Sequence, residues 1–481
     1  MISLPSRSPV LPWRLPTPDA ETTDGAYAET LRRIYAYSEV RRTHEEIAVA
    51  RARKLERIRG LLGMIGTPQA HYRTVLVAGT KGKGSTAACL ASILEVAGCR
   101  VGLYTQPHLY SFRERTWARG RHIAEDEVVA GFAEIEPSLD VLGNRARDLG
   151  RFTSFDVGTA LALLHFARAE VDVAIVEVGV GGANDATNVL EPVLSLIGPV
   201  GLDHKDTLGE SVDDIAREKA GVARRGIEVL VGRQDDGPRR VIRAAVGSVG
   251  GRCREIGFDF GWEIEDSPRM AFSVWGCGEP IEGLWTPLAG PCQRDNATMA
   301  VAAARWFADS GDEVDPSAIR RGLSQLQWPG RFQRVLDEPL TVVDGAHNAA
   351  AAGALAATVR ECFPGRPIGL VLGMSAEKDP LAFIDGLVTE ELAKDELAML
   401  TTNVFVTRAR HARSFDPEVL AAYLARRNIR ATVCPRPIDA LRLAWQSVPD
   451  GGVTLVTGSL FLIGDVLELL LPLANGSQPC L

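Results

Sequence analysis

Short apolar runs alternate with longer helical patterns along most of this chain. From about residue 74 the apolar runs are "TVLVA", "RVGLYT", "VDVAIVEVG" and "VLSLIG", and segments such as "TAACLASILEVAG" lie between them. Continuous apolar runs of this length are typical of strands buried on both faces. Their alternation with helices favours a parallel sheet covered by helices, so the pattern predicts an α/β protein.

A second series of strands follows a loop near residue 328. The segment "WPGRFQRVLDEP" has the Pro and Gly residues of a connection, and the apolar runs after it are "LTVVDG", "PIGLVLGM", "NVFVTR" and "GVTLVTG". We therefore predict a larger parallel-sheet domain over residues 27–328 and a smaller Rossmann-like domain over residues 329–481.

Four other segments have patterns of their own. The first 25 residues carry five prolines and no continuous apolar run, so we expect residues 1–26 to be a flexible extension. Residues 27–62 have apolar or small positions at helical spacing, and residues 253–290 are rich in Gly, Trp and Pro, which suggests a small antiparallel insert. The run "VTLVTGSLFLIGDVLELLLPL" contains glycines and acidic residues, which favours a buried strand followed by a helix over a membrane span.

Charge and cysteine content limit the possible partners. Lys and Arg total 53 against 61 Asp and Glu, a net charge of -8, whereas binding to nucleic acid phosphates usually requires a basic surface. The eight cysteines include no C-x-x-C pair, which argues against a disulfide scaffold or a structural zinc site. We expect a cytoplasmic monomer that binds neither nucleic acid nor a membrane.

The segment "VLVAGTKGKGSTAACLASILEVAG" leads from a strand through a glycine-rich loop into a helix that begins at Ser85 and Thr86. Glycines allow backbone amides to surround phosphate oxygens, and the helix N-terminus adds partial positive charge. Lys83 would reach the β and γ phosphates, and the Ser85 hydroxyl could hold Mg²⁺. Gly84 follows the lysine where Ser or Thr is usual, so the motif is a variant. A glycine-rich turn without a ligand is the alternative, but two lysines in the loop weigh against it. We predict a P-loop-type ATPase domain that binds ATP and Mg²⁺.

This loop and seven other segments resemble the folylpolyglutamate synthase and dihydrofolate synthase family, within the Mur ligase superfamily. They occur in the family's order over about residues 40 to 470 and read "GTKGKGS", "LYTQPHL", "RERTWARGRHI", "EVGVGGANDATNV", "GLDHKDTLGESVDDIAREKAG", "WPGRFQ", "DGAHN" and "TGSLFLIGDV". The resemblance implies that ATP is bound by Gly79, Thr80, Lys81, Gly82, Lys83, Gly84, Ser85, Asn296, Arg331 and Asp344.

Three residues of the larger domain resemble metal-site residues of the family. Glu177 ends the apolar run "VDVAIVEVG", and a carboxylate there needs a partner or a metal. The resemblance implies that Glu177, like Ser85, binds Mg²⁺, with a paired core carboxylate as the alternative. It implies that His204 binds a second metal, although a lone histidine is more often structural. Lys219 would be carbamylated and bind the second metal, with a solvated or salt-bridged lysine as the alternative.

Other matched residues are expected near nucleotide and substrate. Asn296 would lie near the adenine, although Asp295 or Asn296 could instead cap the helix there. Arg331 and Asp344 would approach the nucleotide. His347 would contact the amino-acid substrate, and Ser459 would line the glutamate pocket unless it serves as a helix cap.

The resemblance implies a ligase that uses ATP to join L-glutamate to the glutamyl carboxylate of folate through an acyl phosphate. Lys83, Lys219 and His347 are its expected catalytic residues. Gln106 stands where bacterial members usually have Ser, which leaves its role at the first metal open, and use of dihydropteroate is also open. A Mur-type cell-wall ligase and a non-catalytic ATP-binding switch are the alternatives.

Overall fold

The computed structural model describes residues 19, 25–39, 52–145, 149–267, 270–376, 378–389, 404–411 and 413–474. Of the expected extension over residues 1–26, these ranges include only Asp19, Gly25 and Ala26, and the remainder lies outside the described residues. The chain divides into two compact units. Unit 1 comprises the residues up to Pro287 together with Arg294–Gln327, and unit 2 comprises Leu288–Gln293 and the residues from Trp328 onward.

An eight-stranded sheet forms the centre of unit 1. Its strands are β1 (Arg73–Ala78), β2 (Val101–Tyr104), β3 (Thr116–Ala118), β4 (Arg121–His122), β5 (Val173–Glu177), β6 (Leu194–Ile197), β7 (Glu228–Val231) and β8 (Arg252–Glu255). The strand order is β4-β3-β2-β5-β1-β6-β7-β8. The six strands from β2 to β8 in that order pair in parallel, whereas β3 and β4 pair antiparallel. Strands β5 and β6 are buried throughout, as continuous apolar runs predict.

The helices of this unit include one that directly follows the glycine-rich loop. The helices among its described residues are α1 (Ala26–Glu39), α2 (Lys54–Met64), α3 (Lys83–Val96), α4 (Glu125–Gly143), α5 (Ser154–Arg168), α6 (Lys205–Leu208), α7 (Val212–Ala220), α8 (Asp236–Ser248), α9 (Pro291–Asp309, of which the first three residues are assigned to unit 2) and α10 (Pro316–Gln325). Helix α3 begins at Lys83 rather than at Ser85, because the left-handed Gly82 that precedes it, with φ of 76°, already ends the loop. The helix predicted over residues 27–62 appears as α1 and α2, and residues 40–51 between them lie outside the described residues.

A small antiparallel sheet is attached to this unit. It contains β9 (Gly261–Ile264), β10 (Phe272–Trp275) and β11 (Ile281–Leu284) in the order β11-β10-β9. The sequence predicts this insert from residue 253, but the antiparallel sheet begins only at Gly261. Residues 252–255 instead form β8, a strand at the edge of the large sheet whose side chains are mostly polar.

Unit 2 contains a six-stranded sheet. Its strands are β12 (Gln333–Asp337), β13 (Leu340–Val343), β14 (Ile368–Leu372), β15 (Val404–Val406), β16 (Ala431–Val433) and β17 (Val453–Thr457). The order is β12-β13-β17-β14-β15-β16, and all neighbours pair in parallel except β12 and β13. The helices in the described part of this unit are α11 (Ala349–Cys362), α12 (Pro380–Thr389), α13 (Pro417–Ala425), α14 (Pro437–Ser447) and α15 (Leu460–Ala474).

The apolar run near the C-terminus forms β17 and then α15, which confirms the prediction of a strand followed by a helix. Within the described ranges, no helix combines the length and the apolar character needed to cross a bilayer. The α/β class predicted from the alternating runs is confirmed in both units.

Candidate active site

The glycine-rich loop between β1 and α3 packs against the segment that follows β6. The backbone N–H groups of Thr80 and Lys81 both donate to the carbonyl oxygen of Pro199, at 2.9 and 3.4 Å. The Thr80 hydroxyl donates to the carbonyl oxygen of Gly201 at 3.1 Å and accepts the N–H of the same residue at 3.1 Å. The loop is thus attached to the segment that follows the neighbouring strand β6, which holds the loop backbone in place.

Two glycines of the loop have no room for a side chain. A Cβ at Gly79, whose φ is +142°, would lie 3.0 Å from the Cα of Gly198. A Cβ at Gly82, with φ of +76°, would lie 2.2 Å from Oδ1 of Asn296. Close approach and left-handed backbone both favour glycine at these two positions, and phosphate binding by the loop stays a prediction.

Two lysines converge on one carbonyl group of this loop. Nζ of Lys83 and Nζ of Lys219 both donate to the carbonyl oxygen of Gly79, at 3.2 and 2.9 Å. Lys219 is buried on α7, so the alternative of a solvated surface lysine is wrong. Burial, and secondarily the charge of Lys83, lower the pKa of Lys219 to about 7. A substantial share of Lys219 is therefore an uncharged amine near neutral pH.

Glu177 is the buried last residue of β5, and its carboxylate faces Lys83. Its Oε1 lies 3.8 Å from Nζ of Lys83, and its Oε2 accepts the backbone N–H of Gln106 at 3.1 Å. The carboxylate thus has the partners that a buried charge requires. It also lies at the carboxyl end of a central parallel strand, where ligands bind in open α/β sheets.

His204 lies on the loop after β6. Its backbone is left-handed, with φ of 49°, and its side chain is 44% exposed. Its backbone N–H donates to Oδ1 of Asp203 at 3.0 Å, and its Nε2 lies 3.8 Å from the same oxygen. The negative charge of Asp203 also acts on Lys219, where it raises the pKa against the larger effect of burial. Asp203 was not among the candidates from the sequence, although it stands beside His204 in the motif "GLDHKD".

Two of the residues present could supply some of the oxygen ligands of a magnesium ion. Among the described residues, no group of three or more His, Cys, Asp or Glu side chains is arranged to hold a metal ion. Mg²⁺, however, is commonly bound by one or two carboxylates together with waters and substrate phosphates. The Glu177 carboxylate and the buried Ser85 hydroxyl, in the first turn of α3, are oxygen donors of that kind. In Gln106 the side-chain nitrogen is buried without a hydrogen-bond partner.

Asn296 lies against the loop, but it is not a helix cap. Helix α9 begins at Pro291, so residue 296 is in its second turn and the capping alternative is wrong. Oδ1 of Asn296 accepts the hydroxyl of Thr86 at 3.4 Å. The neighbouring Asp295 accepts Nε1 of Trp262 at 2.7 Å and Nε of Arg233 at 3.0 Å, so it does not cap the helix either.

Sequence reasoning missed one buried residue that supports this loop. Nε2 of Gln234 donates to the carbonyl oxygen of Gly198 at 3.0 Å, and its Oε1 accepts the N–H of Val200 at 3.0 Å. Gln234 therefore holds the segment on which Thr80 and Lys81 rest. A polar residue shortly after the end of β7 was the available signal, but nothing in the sequence shows its partners.

In unit 2, Asp344 follows β13 and is partly buried. Its Oδ2 accepts the N–H of Phe332 at 2.9 Å, and its Oδ1 accepts the N–H of Ala346 at 2.8 Å. Burial raises the pKa of Asp344, while the nearby Arg331 lowers it. Nη1 of Arg331 donates to the carbonyl oxygen of Gly330 at 3.2 Å. The structure thus brings together the two residues of this unit that the sequence assigned to nucleotide binding.

His347 and Ser459 lie on loops of unit 2 that contact each other. The N–H of Gly458 donates to the carbonyl oxygen of Ala346 at 3.0 Å. Nδ1 of His347 lies 2.8 Å from the carbonyl oxygen of Gly345, so Nδ1 carries a proton and Nε2 is the basic nitrogen of the neutral ring. The Ser459 hydroxyl accepts the N–H of Phe461 at 3.2 Å, so it caps α15. Its assignment to a glutamate pocket stays a prediction.

Comparisons with known proteins show which family this chain belongs to. Residues 330–460 match the family model described as the Mur ligase, glutamate ligase domain. The chain is 33% identical over 453 residues to folylpolyglutamate synthase of Lacticaseibacillus casei, covering 92% of this chain and 99% of that protein. It is 31% identical over 436 residues to dihydrofolate synthase/folylpolyglutamate synthase of Bacillus subtilis, covering 86% and 94%.

A solved structure agrees over nearly the full length of both chains. The structure of Mycobacterium tuberculosis folylpolyglutamate synthase complexed with ADP matches with a TM-score of 0.82 and 30% sequence identity, covering 93% of this chain and 99% of that one. Both the identity and the coverage exceed what a shared fold alone would give. This chain belongs to the folylpolyglutamate synthase/dihydrofolate synthase family of ATP-dependent ligases.

Proposed function

We propose that this chain uses ATP and Mg²⁺ to add L-glutamate to the glutamyl carboxylate of a reduced folate. The observation that carries the proposal is the arrangement of Lys83, Lys219 and Glu177 around Gly79 at the carboxyl edge of the sheet. The Lys83 cation, the buried Lys219 amine and one carboxylate, next to a glycine-rich loop at a helix N-terminus, suit the binding and transfer of phosphoryl groups.

In the first half-reaction, an oxygen of the folate carboxylate attacks the γ-phosphorus of ATP. A new P–O bond forms, the bond to the ADP oxygen breaks, and an acyl phosphate results. Lys83 would leave the Gly79 carbonyl to neutralise the oxygens of the transferred group. The amides of residues 79–85 would bind the phosphates, and Asn296 would lie near the adenine.

Glu177 and Ser85 are the residues that we assign to Mg²⁺, and His204 and Lys219 are those that we assign to a second ion. When bound, Mg²⁺ supplies charge neutralisation and orientation of the phosphates. The lowered pKa of Lys219 supports carbamylation, because only a neutral amine reacts with carbon dioxide. The carbamate would convert a hydrogen-bond donor into an oxygen ligand.

In the second half-reaction, the amine of L-glutamate attacks the acyl carbon. An amide C–N bond forms, the C–O bond to phosphate breaks, and the amine loses a proton. We assign this proton to His347, because its Nδ1 is engaged with the Gly345 carbonyl and its Nε2 is the basic nitrogen. Arg331 and Asp344 would bind nucleotide, and Ser459 would line the pocket for glutamate.

The test is incubation of the purified chain with ATP, Mg²⁺, labelled L-glutamate and tetrahydrofolate, followed by mass analysis. We expect products heavier by whole glutamyl units. Parallel reactions with dihydropteroate and with a cell-wall nucleotide-sugar peptide identify a dihydrofolate synthase or a Mur-type activity. Label found only in the cell-wall precursor, or in no product despite ATP binding, would contradict the proposal. We also propose a cytoplasmic monomer, which analytical ultracentrifugation and cell fractionation would test.

A further inference from the structure

The loop over residues 105–115, between β2 and β3, lies at the edge of the candidate active site. It leaves the carboxyl end of β2, which pairs directly with β5. At its start, the backbone N–H of Gln106 donates to Oε2 of Glu177 at 3.1 Å. The position of this loop therefore affects the carboxylate that faces Lys83, and its other residues lie where open α/β sheets bind ligands.

Four successive backbone N–H groups of this loop donate to two carboxylates. The N–H groups of Leu109, Tyr110 and Ser111 donate to the carboxylate of Glu114, at 2.7, 2.9 and 2.7 Å. The N–H of the next residue, Phe112, instead donates to Oδ2 of Asp19 at 2.7 Å. Glu114 belongs to the loop itself, whereas Asp19 lies 93 residues before Phe112 in the chain.

Asp19 makes two further contacts with the loop. Its Oδ1 accepts the hydroxyl of Ser111 at 2.9 Å, and its backbone N–H donates to the carbonyl oxygen of Tyr110 at 3.1 Å. Three hydrogen bonds thus join this one residue to three successive loop residues. Bonds to a charged carboxylate are among the stronger ones in proteins.

Asp19 is itself anchored to the core of unit 1. The hydroxyl of Tyr27, on α1, donates to Oδ1 of Asp19 at 3.0 Å, and Tyr27 is only 4% exposed. Burial and the charge of Asp19 raise the pKa of Tyr27, so its hydroxyl keeps the proton that it donates. Asp19 therefore connects the loop to a fixed helix.

Phe112 contacts Asp19 through its backbone N–H and the side chain of Arg115 through its ring. The guanidinium of Arg115 lies 5.5 Å from the centroid of the Phe112 ring, and Nε of Arg115 donates to Nδ1 of His108 at 2.9 Å. A shift of the Phe112 backbone would move the ring that supports this pair. The phosphate loop, by contrast, is attached through Thr80 and Lys81 to a different segment.

We infer that Asp19 is a positioning residue for the substrate that accepts the phosphoryl group. It holds loop 105–115 in the form in which Gln106 contacts Glu177 and Arg115 contacts His108. This inference rests on the proposed function, since the acceptor is the folate carboxylate. The phosphate loop is held by a different segment, so loss of Asp19 should weaken acceptor binding more than ATP binding.

Four variants test this role in the full chain: Asp19→Ala, Asp19→Asn, Tyr27→Phe and, as a matched control, Glu29→Gln. Glu29 is an exposed carboxylate on α1 that pairs with Arg32. For Asp19→Ala we expect the KM for tetrahydrofolate to rise about tenfold. We also expect the Phe112 amide to exchange its hydrogen about tenfold faster. A tenfold change is the size expected when a hydrogen bond to a charged group is lost. The KM for ATP should rise less than the KM for tetrahydrofolate. Asp19→Asn keeps an oxygen acceptor and should recover much of the loss, and Tyr27→Phe should have a smaller effect.

Several results would overturn the inference. These are an unchanged folate KM in Asp19→Ala, faster exchange without a change in that KM, and equal increases in the KM values for folate and ATP. An effect of the same size in Glu29→Gln would do so as well. If the parent chain ligates no folate, the proposed function fails by itself. Unchanged exchange at residues 109–112 in Asp19→Ala would then separately refute the role of Asp19.

Discussion

Substitution of Gly82 by alanine tests the geometry of the phosphate loop directly. The new alanine would have to adopt a left-handed backbone, and its Cβ would lie 2.2 Å from Oδ1 of Asn296. A left-handed alanine costs about 1–2 kcal/mol. Asn296 is a side-chain end that can rotate away, but it would then lose its bond to Thr86, worth about 1 kcal/mol. The combined cost is about 2–3 kcal/mol.

The cost can appear either as lower stability or as weaker nucleotide binding, depending on whether the loop relaxes in the free protein. The free energy of urea unfolding, measured with a saturating non-hydrolysable ATP analogue at one fixed concentration, includes both losses, because the unfolded chain binds no nucleotide. We expect the free energy of unfolding in Gly82→Ala to fall by about 2–3 kcal/mol under these conditions.

Gly63→Ala is the matched control, since Gly63 lies in α2 and a Cβ there meets nothing within 4 Å. Alanine should stabilise that helix by about 1 kcal/mol or less. A loss below about 1 kcal/mol in nucleotide-saturated Gly82→Ala would refute the loop geometry. So would a loss of the same size in Gly63→Ala.

Four further outcomes are expected. Lys83→Ala should lower the ligation rate at least about a hundredfold with the fold intact, and near-normal turnover would refute its role at the transferred phosphoryl group. Glu177→Ala and His204→Ala should each shift the Mg²⁺ titration of activity, and unchanged curves would indicate structural roles. Intact mass should show one carbamate on Lys219 whose formation increases as pH rises through about 7, where the amine becomes neutral, and its absence at pH 8 with bicarbonate would contradict the assignment. Burial lowers the pKa of His122 to about 4 in the folded state, so the folded chain should lose stability as pH falls from about 6.5 towards 4, and His122→Gln should lessen that loss in urea unfolding.

Local patterns were enough to predict much of the fold. The buried strands β1, β5, β13 and β17 appear in the sequence as continuous apolar runs, because they are covered on both faces. The edge strand β8 was missed because its residues "RCRE" contribute few apolar side chains to the core. A strand at the edge of a sheet, with one neighbouring strand and mostly polar side chains, has no continuous apolar run by which it could be predicted.

The candidate site was predictable where it depends on chain-local geometry. Lys83 follows a strand and a glycine loop, and Glu177 ends a buried strand, so both positions follow from the local sequence. The contacts of Gln234 and Asp19 depend on residues about 35 to 90 positions away along the chain. Asn296 illustrates the same limit, because the helix around it begins at Pro291 without a polar capping signal at that position.

The supports of the phosphate loop have a consequence for synthesis on the ribosome. The loop itself is complete at Ser85, yet its backbone partner Pro199, the buried Gln234 and the neighbouring Asn296 are translated later. A nascent chain of about 100 residues therefore contains the motif but lacks the residues that hold the loop backbone in place. ATP cannot act as a folding ligand until most of unit 1 has left the exit tunnel, so a chain truncated before residue 234 should gain no protection from nucleotide in proteolysis.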